Sequence, residues 1–382
     1  MSVSSDRTNW AVVAALFVTG LLAAWQFATF ALTLPDLSAA YDRPVTTLAW
    51  LVSVVGLVGI LLGAVAGGCV AAMGARRVLI FAMLLGAGMS LVQAFLPPLW
   101  LLGVSRVIEG VSHLLIVVAA PTLIAGVASD NGRPVAMAIW AMFFGVAFAI
   151  GAAIFPMIVT IGGLQALNVA HGLGFLVMAA VLVPMLPVQP RQPLRLSPVA
   201  MHRAIYGHVA RAMPALCFVF YTVVFVAAVA FLPLALGRPG LAISLPLLSL
   251  SGTFAAGWLC KRVPPFIVLA AGFIAVALCG IIGWVSTPAA VYPMFATMGL
   301  VPGAAFALIP HLNAEVSDRA LATGGIAQMG NVGTTLGTPM FALFYAQAGL
   351  PGLWAALVGF SVLGLAVTLG LAHLHSTSIR HD

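Results

Sequence analysis

From Thr8 to Pro35 the chain carries no Asp, Glu, Lys or Arg, and uncharged apolar runs of similar length recur almost to its end. A run like this crosses lipid only if every backbone N–H and C=O is satisfied internally, which leaves helices or a closed barrel. Barrel strands alternate polar and apolar residues over about ten positions, and these runs do not alternate. Their length suits helices, which need about 20 apolar residues to span the hydrocarbon. Composition closes the soluble option: 63% of the 382 residues are hydrophobic and 6% are charged, against about 25% charged in an ordinary soluble domain.

Charged and Pro/Gly-rich breaks divide the chain into expected spans near 10–34, 45–70, 78–96, 98–126, 135–160 and 165–187, then 208–236, 239–260, 264–285, 288–312, 320–347 and 350–374. Between the two sets, residues 188–207 hold Pro190, Pro193 and Pro198 with Arg191, Arg195 and Arg203, a composition that hydrocarbon excludes. The expectation is an all-α integral membrane protein of twelve helices in two pseudo-symmetric six-helix halves, 1–187 and 208–382, joined by a 188–207 linker. The first run is too long for a signal-peptide core and lacks a small-residue cleavage site, so it is expected to remain as a helix.

Lys and Arg set the orientation. With a cytoplasmic N-terminus, twelve of them fall inside, from Arg7, Arg76 and Arg77 to Arg380, and only Arg43 and Arg238 fall outside. Both termini and the linker are therefore expected in the cytoplasm, with a bacterial inner membrane as the setting. The sequence pI of about 9.8 follows from this bias and calls for no nucleic-acid partner. Cys69, Cys217, Cys260 and Cys279 lie in or beside apolar runs without CxxC spacing and are expected as small packing residues, not metal ligands.

A repeat underlies the two sets. PTLIAGVASD (Pro121 to Asp130) ends the fourth span and PHLNAEVSD (Pro310 to Asp318) ends the tenth, each followed by an arginine, Arg133 or Arg319, and then by Gly151 or Gly337. Parallel halves related by an axis along the membrane normal produce such a pattern.

The turn between the second and third spans reads GGCVAAMGARRVL from Gly67 to Leu79. It is similar to the G-x-L-A-D-R-x-G-R-R-x-x-L motif of the major facilitator superfamily, through Gly67, Gly74, Arg76, Arg77 and Leu79. The second half has GWLCKRVPPFIVL from Gly257, with the basic pair Lys261 and Arg262, and the fourth span has Arg106 and Gly110 in the family's R-x-x-x-G pattern. The resemblance covers nearly all of the chain. It implies a conformational role for Gly67, Gly74, Arg76 and Arg77, while Ala71 stands where the family's latching acid would be. The glycine-rich GVAFAIGAAIFP of the fifth span lacks the Gly-Pro pair of the family's antiporters, which points to uptake, exchange or symport over drug export.

Arg106 and Glu109 are charges deep within a span, and each costs roughly 2.5–3.5 kcal/mol at the bilayer centre on the insertion scale. With His113 they follow i, i+3, i+7 spacing and share one face of the fourth helix. Two readings are open. The pair neutralises itself and ties neighbouring helices together, or Arg106 attracts an anionic group while Glu109 or His113 carries a proton. The first span repeats the spacing with Gln26, Thr29 and Thr33, and the eleventh with Gln328, Asn331 and Thr335, as stripes that face a wet cavity or bond between helices. By the resemblance Gln26 belongs to a cavity-lining helix, and it stands near the level of an acid found in several proton-coupled members. Tyr221 and Thr222 are further candidates for the solute site. His171 is a weaker candidate and is expected as a packing group, His311 and Asn313 stand where a gate and a hydrogen-bonded cap look alike, Asp36 is expected as an interfacial cap, and the tail histidines His373, His375 and His381 as a solvated end in preference to a metal site.

The function expected from these features is secondary transport of a small solute by alternating access, with a small organic anion as the expected solute class and proton coupling as the expected driving force. The alternatives are an exporter of drug-like or other amphipathic metabolites, and a transporter-like sensor that moves nothing. No P-loop is present to power a nucleotide motor, and no H-E-x-x-H or clustered His/Asp set marks an enzyme. Neither a metal nor a cofactor is expected. The expected partners are the solute, protons and the bilayer, and the expected state is a monomer.

Overall fold

The computed structural model describes residues 7–48, 50–187, 197–238 and 240–379. The linker positions 188–196, with Arg191 and Arg195, and the terminal Arg380 and His381 lie outside the described residues. Among the described residues every regular element is helical.

Ten helical runs are long and apolar enough to cross a membrane. Phe143–Met185 has 43 residues and Val316–Ile379 has 64, so straight helices would measure about 65 and 96 Å at 1.5 Å per residue, against a hydrocarbon core of about 30 Å. Neither is straight. Gly162 and Gly163 break the first run, with Gly163 at φ +68°, and Gly349 at φ +58° breaks the second. Only glycine takes this region without a Cβ penalty. Each run therefore crosses twice, at 143–161 and 164–185, then 316–348 and 350–379, and the crossings among the described residues number twelve.

The remaining spans are Trp10–Ala31, Trp50–Met73, Ala75–Ala94 and Leu99–Val127, then Val209–Ala235, Leu241–Leu259, Pro265–Val285 and Ala290–Leu312. The sequence reading needs local corrections. The expected second span from 45 divides into a short helix, Val45–Leu48, and the span proper. A short helix, Leu34–Tyr41, follows the first span and carries Asp36 in its first turn, where a carboxylate favours the helix dipole. The fifth span is preceded by Arg133–Ala141, and the tenth is two helices joined at Gly299.

The chain turns between the second and third spans on the single residue Gly74, at φ +87°. Within the predicted linker, Pro198–Tyr206 is a helix whose N-cap Ser197 accepts from the Ala200 N–H. Trp10, Trp50 and Trp100 are 46%, 46% and 71% exposed at span ends, as interfacial anchors should be.

The glycines of the second span set its contact with the eleventh. A Cβ on Gly63 would meet Gln328 Cα at 2.9 Å, and one on Gly324 would meet Gly63 O at 2.7 Å and Gly67 Cα at 2.8 Å. Close helix approach across small residues is what a lipid-embedded interface needs. The seam continues where Gly257 of the eighth span abuts Val135 and Ala138.

The two copies of the repeat do the same work. Arg133 Nε donates to Ala125 O at 2.9 Å, and Arg319 Nε donates to Asn313 O at 2.9 Å, so each arginine satisfies a carbonyl left open at the end of the preceding span. Arg319 Nη1 also reaches Ala125 O of the other half at 3.5 Å.

Candidate functional site

The fourth span brings its polar face against the first three. Gly103 and Gly110 flank Arg106, and a Cβ on Gly110 would lie 3.0 Å from Val58 Cγ2 and 3.2 Å from Val55 Cα of the second span. That closeness lets Arg106 Nε donate to Leu51 O of the second span at 2.9 Å, while Nη1 donates to Gln26 O of the first at 2.7 Å. Nη1 also forms an ion pair with Glu109 Oε2. The guanidinium stands 4.0 Å from the Phe30 ring centroid, which adds a cation–π attraction in a desolvated place.

Arg106 and Glu109 are both fully buried. Gln93 of the third span donates through Nε2 to Glu109 Oε2 at 2.7 Å and to Ser105 Oγ at 3.2 Å. Gln26 Nε2 donates to Ser112 Oγ at 3.0 Å, and Ser112 Oγ donates to Ala82 O at 2.7 Å. Gly86 makes room for this crossing, because a Cβ there would lie 2.6 Å from Ser112 Oγ and 2.8 Å from Gln26 Nε2. Arg106 Nη2, Glu109 Oε1, Gln93 Oε1 and Gln26 Oε1 are buried with no hydrogen-bond partner among the described residues. Gln26 is thus a packed residue between three helices and not the edge of an open cavity.

His113 differs from its neighbours. Its Nδ1 lies 2.8 Å from Ala23 O. A carbonyl only accepts, so Nδ1 carries the proton and Nε2 of the neutral ring is left as an acceptor. Nε2 makes no hydrogen bond among the described residues, and the residue is buried, at 6% exposure. Phe27 and the His113 ring meet near-perpendicularly at 4.9 Å between centroids, Phe27 meets Phe144 at 5.8 Å, and Phe144 meets Phe148 at 4.8 Å. Phe144 is 41% exposed.

The other predicted residues stand elsewhere. Tyr221 lies between Phe218 and Phe225, at 5.5 and 5.3 Å, and bonds with Ser249. Gln328 and Asn331, expected to line a cavity, sit in the seam with the second span: Gln328 Nε2 donates to Ile60 O at 2.8 Å, and Asn331 packs on Gly56 and Gly59. No described contact joins Tyr221, Gln328 or Asn331 to Arg106, Glu109 or His113. Thr29 and Thr33 bond to Trp25 O and Thr29 O within their own helix, so they neither face water nor bridge helices. Thr335 is exposed, and Thr222 bonds to Val219 O in its own helix at 3.0 Å. Arg76 Nη2 donates to Val183 O at 2.8 Å and Arg77 Nη1 to Met73 O at 3.2 Å, which ties the Gly74 turn to the end of the sixth span.

His171 is a packing group, with Nε2 2.9 Å from Leu22 O and Nδ1 3.0 Å from Ser90 Oγ. Asn313 joins the tenth span to the seventh through Ala210 O at 3.0 Å. Trp25 donates to Ala147 O at 2.8 Å, and Trp140 is wholly buried on Phe143, so neither is an open cavity wall. Among the described residues no group of three or more His, Cys, Asp or Glu could hold a metal.

Sequence reasoning missed Gln93, Ser105 and Ser112. Their signal was present, since Ser105, Glu109 and Ser112 continue the Arg106 stripe along one helix and Gln93 is the one amide in the third span.

The family model described as Major Facilitator Superfamily matches residues 16–317. The multidrug efflux pump LfrA of Mycolicibacterium smegmatis is 31% identical over 195 residues, which is 49% of this chain and 37% of the pump. Among solved structures, the human organic anion transporter MFSD10 superposes with a TM-score of 0.77 at 15% identity, covering 94% of this chain and 98% of its own. The proton:xylose symporter XylE superposes at 0.72 and 13% identity, covering 94% of each chain. The Escherichia coli fucose:proton symporter FucP gives 0.72 at 16% identity, covering 96% of this chain and 99% of its own. At such identities the likeness is one of fold.

Proposed function

The chain belongs to the major facilitator superfamily, and from that premise we propose that it is a proton-coupled secondary transporter of amphipathic organic solutes, with His113 as the group that meets solute or proton. The observation that carries this reading is the His113 ring, whose Nε2 is an acceptor without a hydrogen bond among the described residues and which packs on Phe27, itself packed on Phe144. An aromatic wall with one acceptor suits a flat apolar solute bearing an N–H or O–H donor. The likeness to an efflux pump supports the same solute class.

Residues 1–187 and 208–382 are the two bodies that rock about this level, with the Gly63, Gly67 and Gly324 seam as the closed gate. Arg106 and Glu109 hold the first, second, third and fourth spans together, and the full commitment of Nε and Nη1 supports that role over solute binding. The Lys and Arg distribution supports a cytoplasmic linker and termini in a bacterial inner membrane. One observation favours a small organic anion as a second reading: Arg106 Nη2 is a buried donor without a hydrogen-bond partner among the described residues.

The test is counterflow in proteoliposomes with a fluorescent aromatic dye, with and without a pH gradient, beside a small carboxylate. Gradient-dependent dye movement that His113→Gln abolishes supports the proposal. Movement of the carboxylate alone favours the anion reading, and binding without movement of either favours a sensor.

A further inference from the structure

The linker helix Pro198–Tyr206 is not a passive connection. Met201 packs on Gly68 of the second span and Ile205 on Gly325 of the eleventh, so the helix lies across the seam that joins the two halves. Its polar side meets one side chain of that seam, Gln328. Tyr206 Oη donates to Gln328 Oε1 at 2.8 Å, Gln328 Nε2 donates to Ile60 O of the second span at 2.8 Å, and the same Nε2 lies 3.0 Å from His202 Nε2.

The proton positions in this cluster follow from its acceptors. Ile60 O only accepts, so the amide nitrogen of Gln328, and not its oxygen, must face it. Pro198 O lies 2.8 Å from His202 Nδ1 and also only accepts, so the ring proton is on Nδ1. His202 Nε2 is then a lone pair, and it takes the second N–H of Gln328. Every hydrogen-bonding group of the Gln328 amide head is used. Burial pushes the Tyr206 phenol up to about 12, so Tyr206 remains a donor at any pH a cell meets.

We propose that this helix is a proton-released latch on the gate, in which His202 and Tyr206 are positioning residues that hold Gln328 against Ile60 O. A proton on His202 Nε2 would aim N–H at N–H. Turning the amide to offer its oxygen would set Gln328 Oε1 against His202 but take the donor from Ile60 O, so one link across the seam is lost in either arrangement. The proton bound at His202 comes from the linker-side water, and no other bond is made or broken. The device rests on the transporter reading for its purpose, since a latch on this seam governs when that side opens, but its chemistry is independent of the solute.

The charged surroundings of His202 are few. Span two has no Asp, Glu, Lys, Arg or His from Trp50 to Met73, its one titratable side chain being Cys69, and span eleven, residues 316–348, has Asp318 and Arg319 in its first turn and then only Tyr345. From span seven, Arg211 Nη1 donates to Ala204 O of the linker helix at 2.8 Å, and its Nη2 pairs with Asp318 at 2.9 Å. On the linker helix itself Arg203 adjoins His202 and the Tyr206 ring stacks on it at 6.1 Å.

The test is hydrogen exchange by mass spectrometry on the purified full chain in lipid nanodiscs, at about pH 7.5 and about pH 5.5, either side of the range in which imidazoles charge. Labelling times are scaled for the intrinsic pH dependence. Protection of the peptide covering 198–206 should fall on the order of tenfold at the lower pH. His202→Gln, which keeps an acceptor for Gln328 but cannot titrate, should be protected alike at both. His202→Arg should be unprotected at both, and Tyr206→Phe should lose protection at both while keeping the pH step. A wild-type peptide with no step, or a step that persists in His202→Gln, overturns the latch. Counterflow on the same preparations separates the two ideas, because a step without solute movement removes the transporter reading alone, and movement without a step removes the latch alone.

Discussion

Arg106 in the fourth span donates through Nη1 to the backbone carbonyl of Gln26 in the first, 2.7 Å away, at a point where neither residue has any exposure. A guanidinium committed to a main-chain oxygen, to Leu51 O and to Glu109 is a brace for the bundle. Four predictions follow from the surroundings of this brace and from the seam.

Arg106→Met should lower the melting temperature sharply, because it removes the ion-pair partner of the fully buried Glu109, and breaking a buried pair on one side costs about 3–5 kcal/mol. Adding Glu109→Leu should recover most of the loss, since a buried pair replaced by apolar groups is often neutral. Melting of the purified single and double variants checks this. A single variant that melts like the parent would remove the bracing role.

Gln93→Leu takes away the neutral donor to Glu109 Oε2 and to Ser105 Oγ. Hydrogen bonds to charged groups contribute about 1.5–3 kcal/mol, so thermal unfolding should show a loss in that range, with solute specificity unaltered in counterflow.

His113→Phe preserves the aromatic contact with Phe27 but removes the donor to Ala23 O, an expected stability cost of about 0.5–1.5 kcal/mol. The larger effect should be on transport, as dye movement loses its dependence on the pH gradient. Full retention of that dependence would show that the proton travels elsewhere.

Gly324→Ala would drive a Cβ to 2.7 Å from Gly63 O and 2.8 Å from Gly67 Cα, both backbone atoms that cannot swing aside. Overpacking of this kind costs about 1–3 kcal/mol. Gly88→Ala meets nothing within 4 Å and should be neutral or stabilising by about 0.5–1 kcal/mol through helix propensity. Unequal melting of the two variants checks the seam, and equal melting would count against it.

Arg106 with Glu109 was legible in the sequence because two charges three residues apart in an apolar helix have one affordable arrangement, side by side and away from lipid. The i, i+7 step to His113 was legible for the same reason. Gln328 and Asn331 show where that logic fails. Their spacing matched Gln26, Thr29 and Thr33, and for both stripes a wet cavity and bonds between helices were open; Gln328 and Gln26 bond to neighbouring helices, whereas Thr29 and Thr33 bond to carbonyls one turn back. A polar stripe tells which face avoids lipid but not what lies opposite.

The sequence by itself determined that this chain lives in lipid, how many times it crosses, which end of each span bears its positive charge, and that two halves repeat in the same sense. Those follow from local quantities, namely length, hydropathy and the places of Gly, Pro, Lys and Arg. Only the tertiary structure decided that Arg106 takes the carbonyls of Gln26 and Leu51, that Gly324 faces Gly63 and Gly67, and that the linker helix closes over Gln328 through Tyr206 and His202. The physical reason is that a backbone carbonyl is present at every position, so the sequence cannot mark which one a distant donor will find; that depends on how closely the helices approach.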